Sequence, residues 1–122
     1  MQKLIAVAVV AACAAAPAAL AKERNVALAG KPTVAKAGKA WTATVTVTRD
    51  RQPDIGQSPT IRLLSNSIST AGRVVNVATR ATEMPGVYRA RVVFPSAGTW
   101  RVVVIDRMTS RAYPFGQTRV RR

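Results

Sequence analysis

Histidine is absent from this 122-residue chain, and its one cysteine, Cys13, lies in the first apolar run. Acidic residues are scarce: five Asp and Glu stand against nineteen Lys and Arg, a net charge of +14 at pH 7. Aromatics are few, with two each of Trp, Tyr and Phe. Each shortage removes a class of function. A transition-metal site needs imidazole or thiolate ligands that converge, and residues 22–122 contain neither. The two carboxylates closest in sequence, Asp50 and Asp54 of "DRQPD", sit beside Arg49 and Arg51 and read as a solvated turn. Nucleophilic catalysis needs a base beside a Ser, Thr or Cys. Without His that base would be Lys22, Lys31, Lys36 or Lys39, all in loop-like or edge sequence. There is no nucleophile elbow and no phosphate-cradling Gly-rich loop. The composition therefore argues against an enzyme, a metal site and a cofactor.

Long hydrophobic runs are missing too. The longest, Leu4–Ala16, has 13 residues, short of the ~20 that span a bilayer as a helix. It follows Lys3 and precedes "ALA" at 19–21, which puts Ala19 and Ala21 where a signal peptidase reads small residues. Residues 1–21 read as a signal peptide and 22–122 as one exported domain. "VAAC" at 10–13 also resembles a lipoprotein box in which Cys13 would carry lipid; otherwise Cys13 is one more small residue of a discarded leader. Without Lys3 the remaining domain has a net charge of +13, and fourteen of its eighteen cations are Arg. It has no disulfide, so its core alone must hold it. Burial of roughly 60–70% of the unfolded surface suffices for one small sandwich.

What is present is alternation cut by turn residues, the pattern of an all-β sandwich. "NVALAG" reads as a first edge strand. "AWTATVTVTR" puts Trp41, Ala43, Val45 and Val47 on one face and four Thr on the other. "DRQPDIGQSP" reads as a loop, "TIRLLS" as a strand, "NSISTAG" as a second loop or a weak extra strand and "RVVNVATR" as one strand. Pro85 and Gly86 suit the central positions of a type II turn. "VYRARVVF" then buries Tyr88, Ala90, Val92 and Phe94 and turns Arg89 and Arg91 outward. "PSAG" reads as a hairpin loop, and "TWRVVVID" buries Trp100, Val102 and Val104 with Arg101 outward. "QTRV" reads as a short last strand before a basic end, Arg119, Arg121 and Arg122. Trp41, Tyr88, Phe94 and Trp100 read as core rather than as a stacking platform for sugars or bases. Tyr113 and Phe115 are the aromatics most open to exposure.

Pro85, Gly86, Tyr88, Arg89, Ala90, Phe94, Pro95, Gly98 and Trp100 resemble the C-terminal half of YtkA-like domains. These are related to FixH-like and CopC-like exported immunoglobulin-type sandwiches. "AGKAWTATVTVTRDRQP…SPTIRLL" and the tail "AYPFGQTRV" are similar more loosely, so the resemblance covers roughly residues 30–120. It implies an immunoglobulin-like antiparallel sandwich of about seven strands outside the cytoplasmic membrane. Some relatives handle copper through His and Met. This chain has no His, and after residue 21 its Met residues are Met84 and Met108.

If the strands run in immunoglobulin order, the third, sixth and seventh lie side by side. Arg62, Arg89, Arg91 and Arg101 then share an outer face, with Val87, Val93, Val103 and Ile105 between them. Arg beside apolar groups suits docking to carboxylate or phosphate; the plainer role of such a face is to keep sheet edges from pairing. The expectation is a non-catalytic, exported module of the cell envelope that holds an anionic envelope component or an envelope protein. Nucleic acid is not expected, because export and the lack of aromatic–basic interleaving both argue against it. A membrane would be met only through the leader or a lipid at Cys13. The alternatives are a copper-handling accessory protein and a structural domain of an envelope assembly, whose outward Val and Ile a partner would cover.

Overall fold

The computed structural model describes residues 24–56, 58–66 and 73–122. The expected leader, with its expected cleavage positions Ala19 and Ala21 and with Cys13, and most of "NSISTAG" lie outside the described residues. The described chain is all-β, a sandwich of two sheets. Its strands are β1 (Arg24–Ala29), β2 (Val34–Lys36), β3 (Ala40–Arg49), β4 (Gln52–Pro53), β5 (Thr60–Ser65), β6 (Val74–Ala78), β7 (Arg80–Ala81), β8 (Val87–Val93), β9 (Gly98–Ile105) and β10 (Ala112–Arg121). One sheet has the order β1-β3-β8-β7, with β4 also on β3; the other has the order β2-β10-β9-β5-β6.

The alternation works as read on β3 and β8, whereas on β9 Val103, expected to face outward, is buried like Val102 and Val104. Ala43, Val45 and Val47 of β3 are buried, and the Thr between them are not. Tyr88, Ala90, Val92 and Phe94 meet Trp100, Val102 and Val104 from the facing sheet, along with Ile61, Leu63 and Val120. Phe94 lies between the two indoles, with ring centroids 6.0 Å from Trp41 and 6.2 Å from Trp100. The Trp100 indole N–H donates to Ser96 O at 2.9 Å, so this deeply buried ring leaves no donor unpaired. Trp41 differs from its three companions: it is only half-buried and packs at the margin of the core.

Four readings need correction. "RVVNVATR" is two strands in different sheets. Thr79 marks the crossing, buried with its hydroxyl donating to Pro59 O at 2.7 Å. "PSAG" is no hairpin: β8 pairs with β3 and β7, β9 pairs with β10 and β5, and the loop carries the chain between sheets. The last strand is ten residues long, with its ladder slipping between Pro114 and Gln117. "DRQPDIGQSP" begins as a tight hairpin, in which Asp50 (φ 53°) and Arg51 (φ 66°) connect β3 to β4. Two positive φ values in a two-residue loop make a type I′ turn.

Two glycines fix the chain path. Gly86 (φ +77°) completes the expected turn, with Val87 N–H on Met84 O at 3.2 Å; a Cβ there would lie 2.8 Å from Val47 O and 2.9 Å from Pro53 Cβ. Gly30 (φ +92°) lies where the chain leaves β1 for the other sheet, and a Cβ there would lie 2.3 Å from Thr42 O. Only glycine passes β3 that closely.

The pairings define two ends. Arg24 opposite Arg49 and Thr60 opposite Ile105 place the β3–β4, β4–β5, β7–β8 and β9–β10 connections at one end. The β2–β3 turn, the β5–β6 and β8–β9 connections and the end of β10 occupy the other.

Candidate anion-binding face

All the described acidic side chains lie at the first end. Asp50 is in the β3–β4 turn, Asp54 in the β4–β5 loop, Glu83 in the β7–β8 turn, and Asp106 directly after β9. Two of them form a clamp. Arg24 follows the inward phase of β1 set by Val26 and Leu28, so a guanidinium starts an apolar stripe. It pairs with both oxygens of Asp106 and with Asp54, and the side chains retain 8%, 5% and 12% exposure respectively. The Asp54 carboxylate also accepts Gly56 N–H at 3.2 Å, and Asp106 accepts Met108 N–H at 2.9 Å. Tyr88 Oη donates to Asp54 O at 2.7 Å. Burial works against an ionised Asp106, but the Arg24 hydrogen bonds, the Met108 amide and the Arg24 charge outweigh it. The net pKa lies below the ordinary carboxylate value. Burial raises the Tyr88 phenol, opposed by the Arg24 charge. The clamp joins β1, the β4–β5 loop and the end of β9, and so ties the two sheets together.

Met108 and Met84 sit at this same end, 55% and 65% exposed. The Met108 sulfur lies 3.3 Å from Arg24 Nη2, so a guanidinium already occupies that side of the thioether. Among the described residues no three His, Cys, Asp or Glu side chains gather into a cation-holding group.

Away from this end the described side chains offer positive charge only. The four arginines expected on one face are divided between two. Arg89 and Arg91 are exposed on β8, in the β1-β3-β8-β7 sheet. Arg62 and Arg101 belong to the other sheet, on β5 and β9. The expected common face assigned β8 and β9 to positions one step too late in the strand order. In the structure β8 pairs with β3, while β9 lies between β10 and β5, so β10 takes the last position and β8 falls in the sheet opposite β5 and β9. Arg62 also spends its Nε–H on Asn76 Oδ1 at 2.9 Å.

Arg89 and Arg91 do gather with a third cation that sequence reasoning passed over. Arg80 of β7 is the register partner of Arg89, and Thr42 and Thr44 of β3 are the partners of Arg91 and Arg89. Arg80, Arg89, Arg91, Thr42 and Thr82 line a groove of about 490 Å³, with Glu83 as its only carboxylate. Among the described residues no acceptor or ion-pair partner engages the three guanidiniums; the ion pairs are those of Arg24. Like charges directly opposite across a ladder are unfavourable, yet here Arg80 faces Arg89. An anion placed between them would remove that repulsion through charge-assisted, forked hydrogen bonds.

Fold and site together define a class: an all-β, two-sheet sandwich whose described carboxylate side chains lie at one end and whose Arg80, Arg89 and Arg91, without ion pairs among the described residues, group on one sheet face. No protein-family model matches the chain, and no curated protein matches it.

Proposed function

We propose that this chain is an exported, non-catalytic binding module of the cell envelope, an immunoglobulin-type sandwich that holds an anionic partner. The working surface is the outer side of the β1-β3-β8-β7 sheet. One observation carries the reading: Arg80, Arg89 and Arg91 stand together in a groove also lined by Thr42, Thr82 and Glu83, and among the described residues none of the three forms an ion pair. The strand orders β1-β3-β8-β7 and β2-β10-β9-β5-β6 support the immunoglobulin type, in which two antiparallel sheets face each other through alternate residues. The Ala-rich leader sequence supports export.

The test is binding of anionic polymers and anionic vesicles at varied ionic strength. Affinity should fall steeply as salt rises, because exposed charges are screened within about 8–10 Å. Arg80→Glu, Arg89→Glu and Arg91→Glu together should abolish binding. Arg62→Glu with Arg101→Glu, on the other sheet, should weaken it only slightly. Equal loss in both variants would mean that net charge, not this groove, does the binding.

A second reading, a structural domain of an assembly, draws on the outer side of the β2-β10-β9-β5-β6 sheet. Val74 is 46% exposed there, and Leu64 pairs with it in register. Val103 supports it less, since it is only 8% exposed in the isolated chain. Self-association lost on Val74→Lys would favour this reading.

A further inference from the structure

A second groove lies at the end without described acidic side chains, in the seam between the sheets. Strand β1 pairs with β3 only as far as Ala29 opposite Thr44. Beyond that point the chain passes Gly30 and crosses to the other sheet, where Thr118 Oγ donates to Pro32 O at 2.7 Å and Arg119 N–H to Thr33 O at 3.0 Å. The first residues of β3 are thus left without a neighbour on that side. The seam opens into a groove of about 390 Å³ lined by Pro32, Val34, Lys36, Lys39, Trp41 and Arg121. It combines one aromatic wall with three cations.

The Trp41 ring is covered by Phe94 on one side, at an interplanar angle of 25°, and contributes to the groove wall. Its Nε1 is buried with no hydrogen-bond partner among the described residues. Such a donor costs about 1–3 kcal/mol when left unmet, and native structures rarely leave one without a reason. Trp100, by contrast, has its partner. Among the described residues Lys36, Lys39 and Arg121 make no ion pair, and the described Asp and Glu side chains belong to the far end of the sandwich.

We infer that this seam is a binding site for an acidic polysaccharide, a chain of pyranose rings bearing carboxylates. The apolar face of a sugar ring lies against the indole and the exposed Val34, and the carboxylates of neighbouring rings meet Lys36, Lys39 and Arg121. A bare phosphate would use the cations but not the indole; a neutral sugar would use the indole but not the cations. The groove offers both at once. The inference uses residues distinct from the arginine groove, so each fails through its own variants.

The test titrates the purified full chain with oligogalacturonate at fixed salt and follows tryptophan fluorescence and heat. Trp100 is fully buried, so a ligand-dependent emission change reports Trp41. The expected result is a saturable change that dextran does not produce. Lys36→Glu with Lys39→Glu, both in surface positions, should weaken binding at least about tenfold. Trp41→Leu should also weaken it, with unchanged β-sheet circular dichroism as the folding control. Arg80→Glu with Arg89→Glu and Arg91→Glu should leave the emission change in place. Three outcomes overturn the inference: binding insensitive to the Lys36 and Lys39 reversals, polyphosphate binding as tightly with the same emission change, or no binding of oligogalacturonate. If oligogalacturonate binding is lost with Arg80→Glu, Arg89→Glu and Arg91→Glu and not with the Lys36 and Lys39 reversals, the seam site falls and the arginine groove stands.

Discussion

The two ends of the sandwich use charge in opposite ways. At the end built from the β3–β4, β4–β5, β7–β8 and β9–β10 connections, a guanidinium is buried between two carboxylates and its charge is spent on the fold. At the other end Lys36, Lys39, Arg119 and Arg121 have no acidic neighbour, and their charge is spent on nothing within the described chain. The lesson is that the chain's excess of positive charge is not spread evenly over the described surface. Acids placed where the sheets must be tied together leave the rest of the molecule as a field that attracts anions.

This contrast can be broken by substitution. Arg24→Ala leaves the buried Asp106 and the part-buried Asp54 without their cation and should cost about 2–3 kcal/mol, below the ~3–5 kcal/mol of a fully buried pair, read as a lower urea midpoint. Lys36→Glu or Arg121→Glu should move stability by less than about 0.5 kcal/mol. If the two ends respond equally, the clamp is not a structural element.

Glycines sharpen the same comparison. Gly86 (φ +77°) is crowded by Val47 O and Pro53, whereas Gly38 (φ +80°), in the β2–β3 turn, has nothing within 4 Å of an added Cβ. Gly86→Ala should cost ~2–4 kcal/mol from backbone conformation and overpacking together. Gly38→Ala should cost only ~1–2 kcal/mol, from conformation alone. Thermal unfolding of the pair measures the difference.

Acid tests the clamp without mutation. Asp106 has its pKa lowered by folding, so its contribution is fully present above the unfolded value of about 3.9. That contribution is lost as the pH falls through the lower folded value. Stability should therefore drop below about pH 4, and Asp106→Asn should flatten that part of the profile while lowering stability at neutral pH. A small gain is expected at Arg51, held at φ 66° in the β3–β4 turn. Arg51→Gly should raise stability by about 1 kcal/mol, seen as a small rise in Tm.

Much of the fold was legible in residues 40–65 and 87–105, where alternation is regular and one face of each strand is buried. Alternation assigns faces but not partners, so "PSAG" passed for a hairpin although it changes sheets. The switch at Thr79 depends on Pro59, twenty residues earlier, and no local pattern announces it. Strand β2 has three residues, too few for a period, and Pro114 with Gly116 masked the length of β10. At the candidate site, Arg89 and Arg91 were readable as outward residues of one strand. Arg80 was not, because its neighbourhood comes from the β7–β8 pairing. The clamp spans separations of 30 and 82 residues. One signal did point to it: Arg24 shares the inward phase of Val26 and Leu28, and a cation in that phase needs partners.

The most direct test is the salt dependence of binding to an anionic polymer, compared between the Arg80, Arg89 and Arg91 triple Glu variant and the Arg62 and Arg101 double Glu variant. The account predicts that the triple variant loses binding and that the double variant keeps most of the affinity and salt slope of the unaltered chain. Parallel, proportionate losses in the two variants would contradict it and reduce the arginine groove to one part of a uniformly basic surface.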